Sequence, residues 1–168
     1  TTTKLRVIGG HQQMLRLDFE EASPMTGTYA QNLLAYMEKK LENGLDAVIL
    51  SDYGKGACTE ENCERIIAAC RAHGVPVIVD PKGTHWMKYT QADYITPNLK
   101  EINEVLTEPI RNEDRAVEQA GHEVMKKFHL QNIMVTRSEA GLSLISDTDA
   151  THIPTKAQEV FDVSGAGD

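Results

Sequence analysis

The sequence predicts an α/β fold: a mostly parallel sheet with helices on both faces. Three observations carry this. Short, nearly continuous apolar runs alternate with amphipathic helical segments, the pattern of strands joined by helical crossovers. The runs lack the in–out alternation of a half-exposed strand and read as strands buried on both faces. Each run also ends in a cluster of polar, Gly and Pro residues, as strand-to-helix turns do.

The elements follow in order. Residues 1–21 read as a strand pair about Gly9-Gly10, with Val7, Ile8, Leu15 and Leu17 as its apolar positions and Lys4, Arg6 and Arg16 as basic heads. Residues 22–168 read as the α/β core. "TYAQNLLAYMEKKLENG" is an amphipathic helix with a Leu33, Leu34, Met37, Leu41 stripe, closed by Gly44. "DAVILSD" is a strand. "TEENCERIIAACRAHG" places Cys63, Ile66, Ile67 and Cys70 on one helix face. "VPVIVDP" and "ADYITPN" are the next strands, and "LKEINEVL" is a short helix. "EDRAVEQAGHEVMKKFHL" is a longer helix with Val117, Ala120, Val124 and Phe128 on one side. "NIMVTRSE" is a fourth strand, and "GLSLISD" and "THIPT" form a meander.

Composition narrows the function. The chain has 168 residues, enough for one domain, and 40% hydrophobic content. Its formal net charge of -8 argues against a nucleic-acid partner. No apolar run approaches the roughly 20 residues of a membrane span, so no membrane partner is expected. Three cysteines give no closed disulfide set, and Cys63 and Cys70 read as small buried apolar residues. Reduced cysteines point to the cytoplasm. The six histidines show no metalloprotease spacing.

Candidate site residues emerge from position. In open α/β sheets a ligand lies beyond the carboxyl ends of the strands. Four polar clusters meet that rule: "SDYGKG" (51–56), "DPKG" (80–83), "TPNLKE" (96–101) and "TRSEAG" (136–141). Each alone could be a plain turn, and Asn98 with Glu101 approximates a helix capping box. Together with "SGAGD" (164–168) they suggest phosphoryl transfer. The amides of a Gly-rich turn at a helix start can hold an anion, and the neighbouring carboxylate can take a proton from an attacking hydroxyl. Asn98 and Glu101 could organise magnesium and phosphate oxygens, directly or through water. Neither a P-loop nor a G-x-G-x-x-G motif is present.

"DVSGAGD" (162–168) and "NLKE" (98–101), in this order, resemble the signatures of the ribokinase-like (PfkB) carbohydrate kinases. The resemblance implies ATP and Mg2+ as cofactors and a sugar phosphate as substrate. It implies Asp168 as catalytic base and Gly165, Ala166 and Gly167 as the anion hole. Asn98, Leu99, Lys100 and Glu101 become the magnesium and phosphate motif, and Thr136, Arg137 and Gly141 part of the nucleotide loop. Lys55 and Lys82 are added as phosphate-neutralising candidates, and Lys4 and Arg6 as candidates for the sugar phosphate.

Further segments, among them "LSDYGKGA", "VPVIVDPKGT" and "VTRSEAGLSL", resemble the heptose 7-phosphate kinase branch. That branch phosphorylates the anomeric hydroxyl of D-glycero-D-manno-heptose 7-phosphate in ADP-heptose synthesis for lipopolysaccharide. The residues leave open another ribokinase-like sugar or nucleoside kinase, or a non-catalytic nucleotide-binding or assembly piece. The resemblance also implies family segments on both sides of this chain and fusion to an adenylyltransferase domain, and a homodimer is one expected partner state.

Overall fold

The computed structural model describes residues 3–9, 12–20 and 22–156. Two sheets are present among them, a two-stranded hairpin and a six-stranded sheet.

The hairpin is β1 (Thr3–Gly9) against β2 (Gln12–Phe19). Its register pairs Leu5 with Leu17 and Val7 with Leu15, then shifts between Val7 and Ile8. Because side chains alternate across a strand, Leu5, Val7, Leu15, Leu17 and Phe19 share one face, and all are exposed. The chain after the hairpin is fixed to the core. The Met25 amide donates to the Gly56 carbonyl at 2.7 Å, and the Asn62 side chain donates to the Met25 carbonyl at 3.0 Å. Gly56 has φ +94, and a Cβ there would lie 1.9 Å from the Ser23 carbonyl oxygen, so no side chain fits at this crossing.

The core is α1 (Gly27–Glu42), β3 (Val48–Ser51), α2 (Glu60–Ala72), β4 (Val77–Asp80), β5 (Tyr94–Ile95), α3 (Leu99–Val105), α4 (Asp114–Phe128), β6 (Asn132–Thr136), β7 (Leu142–Ile145) and β8 (Ala150–Ile153). The strands lie side by side in chain order, β3-β4-β5-β6-β7-β8. The first four are parallel, and β7 and β8 continue antiparallel. This is the predicted mostly parallel α/β sheet, with the meander as its antiparallel extension.

The register shows where the core sits. Val48 pairs with Val77, Leu50 with Val79, Val79 with Ile95, Ile95 with Ile133, and Ile133 with Ile145. All of these are buried, and they pack in one cluster with Leu34 and Leu41 of α1, Ile66 and Ile67 of α2, and Val117, Val124 and Phe128 of α4. Each such side chain contributes about 1.5–3 kcal/mol of burial. Gly121 of α4 brings that helix against the sheet: a Cβ would fall 2.6 Å from Ile145 Cδ1. The residues between, on the other face, are different. Ile49 is 69% exposed, and Tyr94 and Leu144 are exposed as well. Among the described residues the helices therefore cover one face of the sheet, where the sequence suggested two. Strands read as buried on both faces are half-buried here, because the described residues place nothing over their outward side chains.

Two 3-10 turns, Trp86–Tyr89 and Ser138–Ala140, had no sequence signal, and the first packs into the core. A single 3-10 turn such as Trp86–Tyr89 is too short for a period. Its Trp86 and Tyr89 are both fully buried, and the Trp86 ring packs on Phe128 with centroids 5.6 Å apart.

Candidate functional site

The carboxyl ends of β3, β4, β5 and β6 open into one cleft of about 680 Å³. Asp52 and Tyr53 enter from β3, Asp80, Pro81 and Lys82 from β4, Thr96, Asn98 and Glu101 from β5 and the start of α3, and Met134, Thr136 and Ser138 from β6. The parallel ladder sets this convergence. The Asp52 amide donates to the Asp80 carbonyl, the Thr96 amide to Val79, and the Thr136 amide to Pro97, so the polar residues after each strand arrive at one level.

Asp52 is the most tightly held of them. Its side chain is 3% exposed. Oδ1 accepts from the Gly54 amide at 2.7 Å, and Oδ2 accepts from Lys88 Nζ and from the Tyr89 hydroxyl, each at 2.6 Å. Burial pushes the Asp52 carboxyl up, but the hydrogen bonds from Lys88, Tyr89 and the Gly54 amide, with the Lys88 charge, hold it below its usual value. The Tyr89 hydroxyl is raised, first by burial and then by its bond to Asp52. Asp52 is thus an ionised anchor for the 52–56 turn, which carries the exposed Tyr53 into the cleft.

The Asn98–Glu101 pair is a full capping box. Asn98 Oδ1 accepts from the Glu101 amide at 2.9 Å, and Glu101 Oε2 accepts from the Asn98 amide at 3.0 Å. The helix-start reading of this motif is therefore met. One carboxylate oxygen stays clear of the box: Glu101 Oε1 lies 3.8 Å from Lys82 Nζ. Among the described residues no three His, Cys, Asp or Glu side chains cluster to hold a metal ion. That donor set still suits magnesium, which keeps several waters and is held by one or two carboxylates plus substrate phosphates. Glu101 and Asp80 bring two carboxylates to the cleft.

The other predicted residues divide. Lys82 and Thr136 line the cleft with Asn98 and Glu101. Leu99 packs on the core, and Lys100 is turned to solvent, 3.9 Å from Glu104. The Arg137 side chain is 2% exposed and turned inward: Nε donates to Asn112 Oδ1 at 2.8 Å, and one terminal nitrogen to Asp114 Oδ1 at 2.6 Å and Ser143 Oγ at 2.9 Å. Arg137 therefore ties the 112–114 loop to β7, and its guanidinium is not a cleft group. Gly141, at φ +87, closes the turn, its carbonyl accepting from the Arg137 amide at 2.8 Å; a Cβ there would lie 2.0 Å from the Ile153 carbonyl oxygen. Lys55 is ion-paired with Glu20 and holds the 52–56 turn to the end of the hairpin. Lys4 and Arg6 stand on the exposed hairpin, outside the cleft, opposite Asp18 and Arg16. Gly165, Ala166, Gly167 and Asp168 lie outside the described residues.

Sequence reasoning named the strand-end clusters but not Asp52, Tyr53, Asp80, Thr96 or Ser138 as individual site residues. Their signal was the same end-of-strand position that drew attention to Lys82. Lys88 had none, since it meets Asp52 from 36 positions away.

A model of the pfkB family of carbohydrate kinases matches residues 1–168. The chain belongs to the pfkB family. This pfkB-family chain is 46% identical over 169 aligned residues to the bifunctional protein HldE of Shewanella loihica and 44% identical to that of Vibrio vulnificus. In both cases all of the chain is matched but only 34% of the relative's length. Among solved structures it is similar to phosphofructokinase-2 of Escherichia coli in complex with potassium, at TM-score 0.67 and 15% identity, covering 86% of this chain and 47% of the other. It is also similar to Arabidopsis thaliana ribokinase complexed with ribose and ATP, at TM-score 0.67 and 18% identity, covering 94% and 49%. At such identities these structures speak to the fold, and the fold they give this pfkB-family chain is ribokinase-like. No helix among the described residues is long and apolar enough to cross a membrane.

Proposed function

We propose that this chain forms the central part of a kinase that transfers the γ-phosphoryl group of ATP to the anomeric hydroxyl of D-glycero-D-manno-heptose 7-phosphate. The observation that carries the reading is the cleft, where the polar ends of four parallel strands meet around Lys82, Asn98, Glu101 and Thr136. Support for the heptose comes from segments such as "LSDYGKGA" and "VPVIVDPKGT", and from the identity of 42–46% to bifunctional HldE proteins. The 34% share of those relatives also supports a longer parent protein that carries a second, adenylyltransferase domain.

MgATP supplies the electrophilic phosphorus and the cation that screens its oxygens. Lys82 stands beside Glu101, where it would neutralise phosphate charge, and Glu101 and Asp80 would hold the cation through its waters. The amides of Gly165, Ala166 and Gly167 stabilise charge on the transferring group, and Asp168 takes the proton from the sugar hydroxyl.

ADP release by the full-length protein tests this, with heptose 7-phosphate set against ribose and fructose 6-phosphate. The expected result is a higher kcat/KM for the heptose. Equal or better turnover of the other sugars overturns the heptose reading and leaves a different ribokinase-like sugar kinase.

A further inference from the structure

The start of α2 brings two thiols together. Thr59 is its N-cap, with Oγ1 accepting from the Asn62 amide at 3.1 Å. Cys58 is the residue before the cap and Cys63 the fourth residue of the helix. Those two positions pack on each other when a helix is entered from an extended chain, and they usually hold apolar side chains. Here both hold sulfur. The two cysteines line one cavity of about 220 Å³ between α1, β3 and the turn after it.

Their exposures differ in a useful way. Cys63 is 1% exposed, while Cys58 is half-buried and open to small solutes. The neighbouring Cys63 thiol holds the Cys58 thiol below its usual pKa, and Cys58 and burial push that of Cys63 up. An accessible, acidified sulfur therefore sits in front of a buried one that keeps its proton, the arrangement of an attacking and a resolving cysteine. Cys70, one face-repeat further along α2, is fully buried and has no such partner on the cavity.

We propose that Cys58 and Cys63 are a redox modification site that closes to a reversible disulfide when the protein meets a peroxide. The Cys58 thiolate attacks one peroxide oxygen. The O–O bond breaks, hydroxide leaves and is protonated to water, and Cys58 becomes a sulfenic acid. Cys63 sulfur then attacks the Cys58 sulfur, giving up its proton as the S–O bond breaks, and a second water leaves. Sulfur has lost two electrons and the peroxide has gained them. A small dithiol reverses the step, becoming the disulfide itself. The site adjoins the cleft wall: the Cys58 carbonyl accepts from Lys88 Nζ at 3.2 Å, and the same ammonium holds Asp52.

The test is a peptide map of the reduced full chain after hydrogen peroxide, alkylation with iodoacetamide and trypsin digestion. The peptide Gly56–Arg65 contains Cys58 and Cys63 and no other cysteine. The expected product is this peptide without alkyl groups and two hydrogens lighter, returning to the doubly alkylated form after dithiothreitol. Cys70→Ser leaves that result unchanged. In Cys63→Ser the Cys58 sulfenic acid persists and is captured by dimedone. The proposal is overturned if peroxide leaves the peptide doubly alkylated. It is also overturned if Cys58 goes on to sulfinic acid beside a free Cys63, or if the thiols link two copies instead. The unsubstituted chain decides the matter alone should Cys63→Ser fail to fold.

Discussion

Asp52 Oδ2 accepts two hydrogen bonds of 2.6 Å, one from Lys88 Nζ and one from the Tyr89 hydroxyl, and the donors are neighbours on one 3-10 turn. This joins the site's first strand end to an element that packs on α2 and α4. Removing Lys88 strands a buried carboxylate. Lys88→Ala is expected to destabilise the fold by about 3–5 kcal/mol, the cost of breaking a buried pair. Tyr89→Phe removes one neutral donor, and a loss of about 1–3 kcal/mol is expected. Urea unfolding of the two variants checks the order. A Lys88→Ala protein as stable as the parent would remove the anchor.

The same pair sets a pH dependence. The folded pKa of Asp52 lies below its ordinary 3.8, so its contribution to stability is complete above that value and is lost as pH falls through the lower, folded one. Melting temperature measured from pH 7 downward should therefore drop more steeply below about pH 4 in the parent than in Asp52→Asn, which has no proton to take up there. Parallel curves for the two proteins would count against the anchor.

Gly56 is expected to tolerate no side chain. Alanine would hold a left-handed φ of +94 and press its Cβ into the Ser23 carbonyl. The strain of such a backbone is about 1–3 kcal/mol before the clash is relieved. Relief would part the 22–26 segment from the 52–56 turn. Limited proteolysis of Gly56→Ala should show faster cleavage between the hairpin and α1, while the six-stranded sheet stays resistant.

In the full-length protein, Asp168→Asn should lower kcat by about 10²–10⁴, the usual contribution of a positioned base, with little change in KM for ATP. Lys82→Ala should act mainly on KM for ATP through lost phosphate neutralisation. An ADP-release assay reads both, and an unchanged kcat for Asp168→Asn would remove that residue as base.

Much of the fold was legible because its signals are local. The apolar runs ending at Ser51, Asp80 and Thr136 each became a strand, and the Asn98–Glu101 spacing became a true capping box. What the sequence could not show was how sides are shared. A run such as "VIL" reads alike whether one face of its strand is covered or both, so the exposure of Ile49 was not foreseeable. The site divided in the same way. Strand-end position found Lys82 and Thr136, but a guanidinium suits a phosphate and an internal network equally, and only the partners Asn112, Asp114 and Ser143 show which Arg137 chose. Lys88 was hidden because long-range pairs leave no periodic trace.

The strand order has a consequence for synthesis. Since β3 to β8 stand in the sheet in the order in which they are translated, each strand leaving the ribosome finds its neighbour already made. Among the described strands β3 to β8, none is separated from its chain neighbour by a later strand, and the pairings span short stretches of chain, which favours fast closure. From β3 to β8 the sheet can grow as a ratchet, and the cleft at its carboxyl edge is assembled one wall at a time.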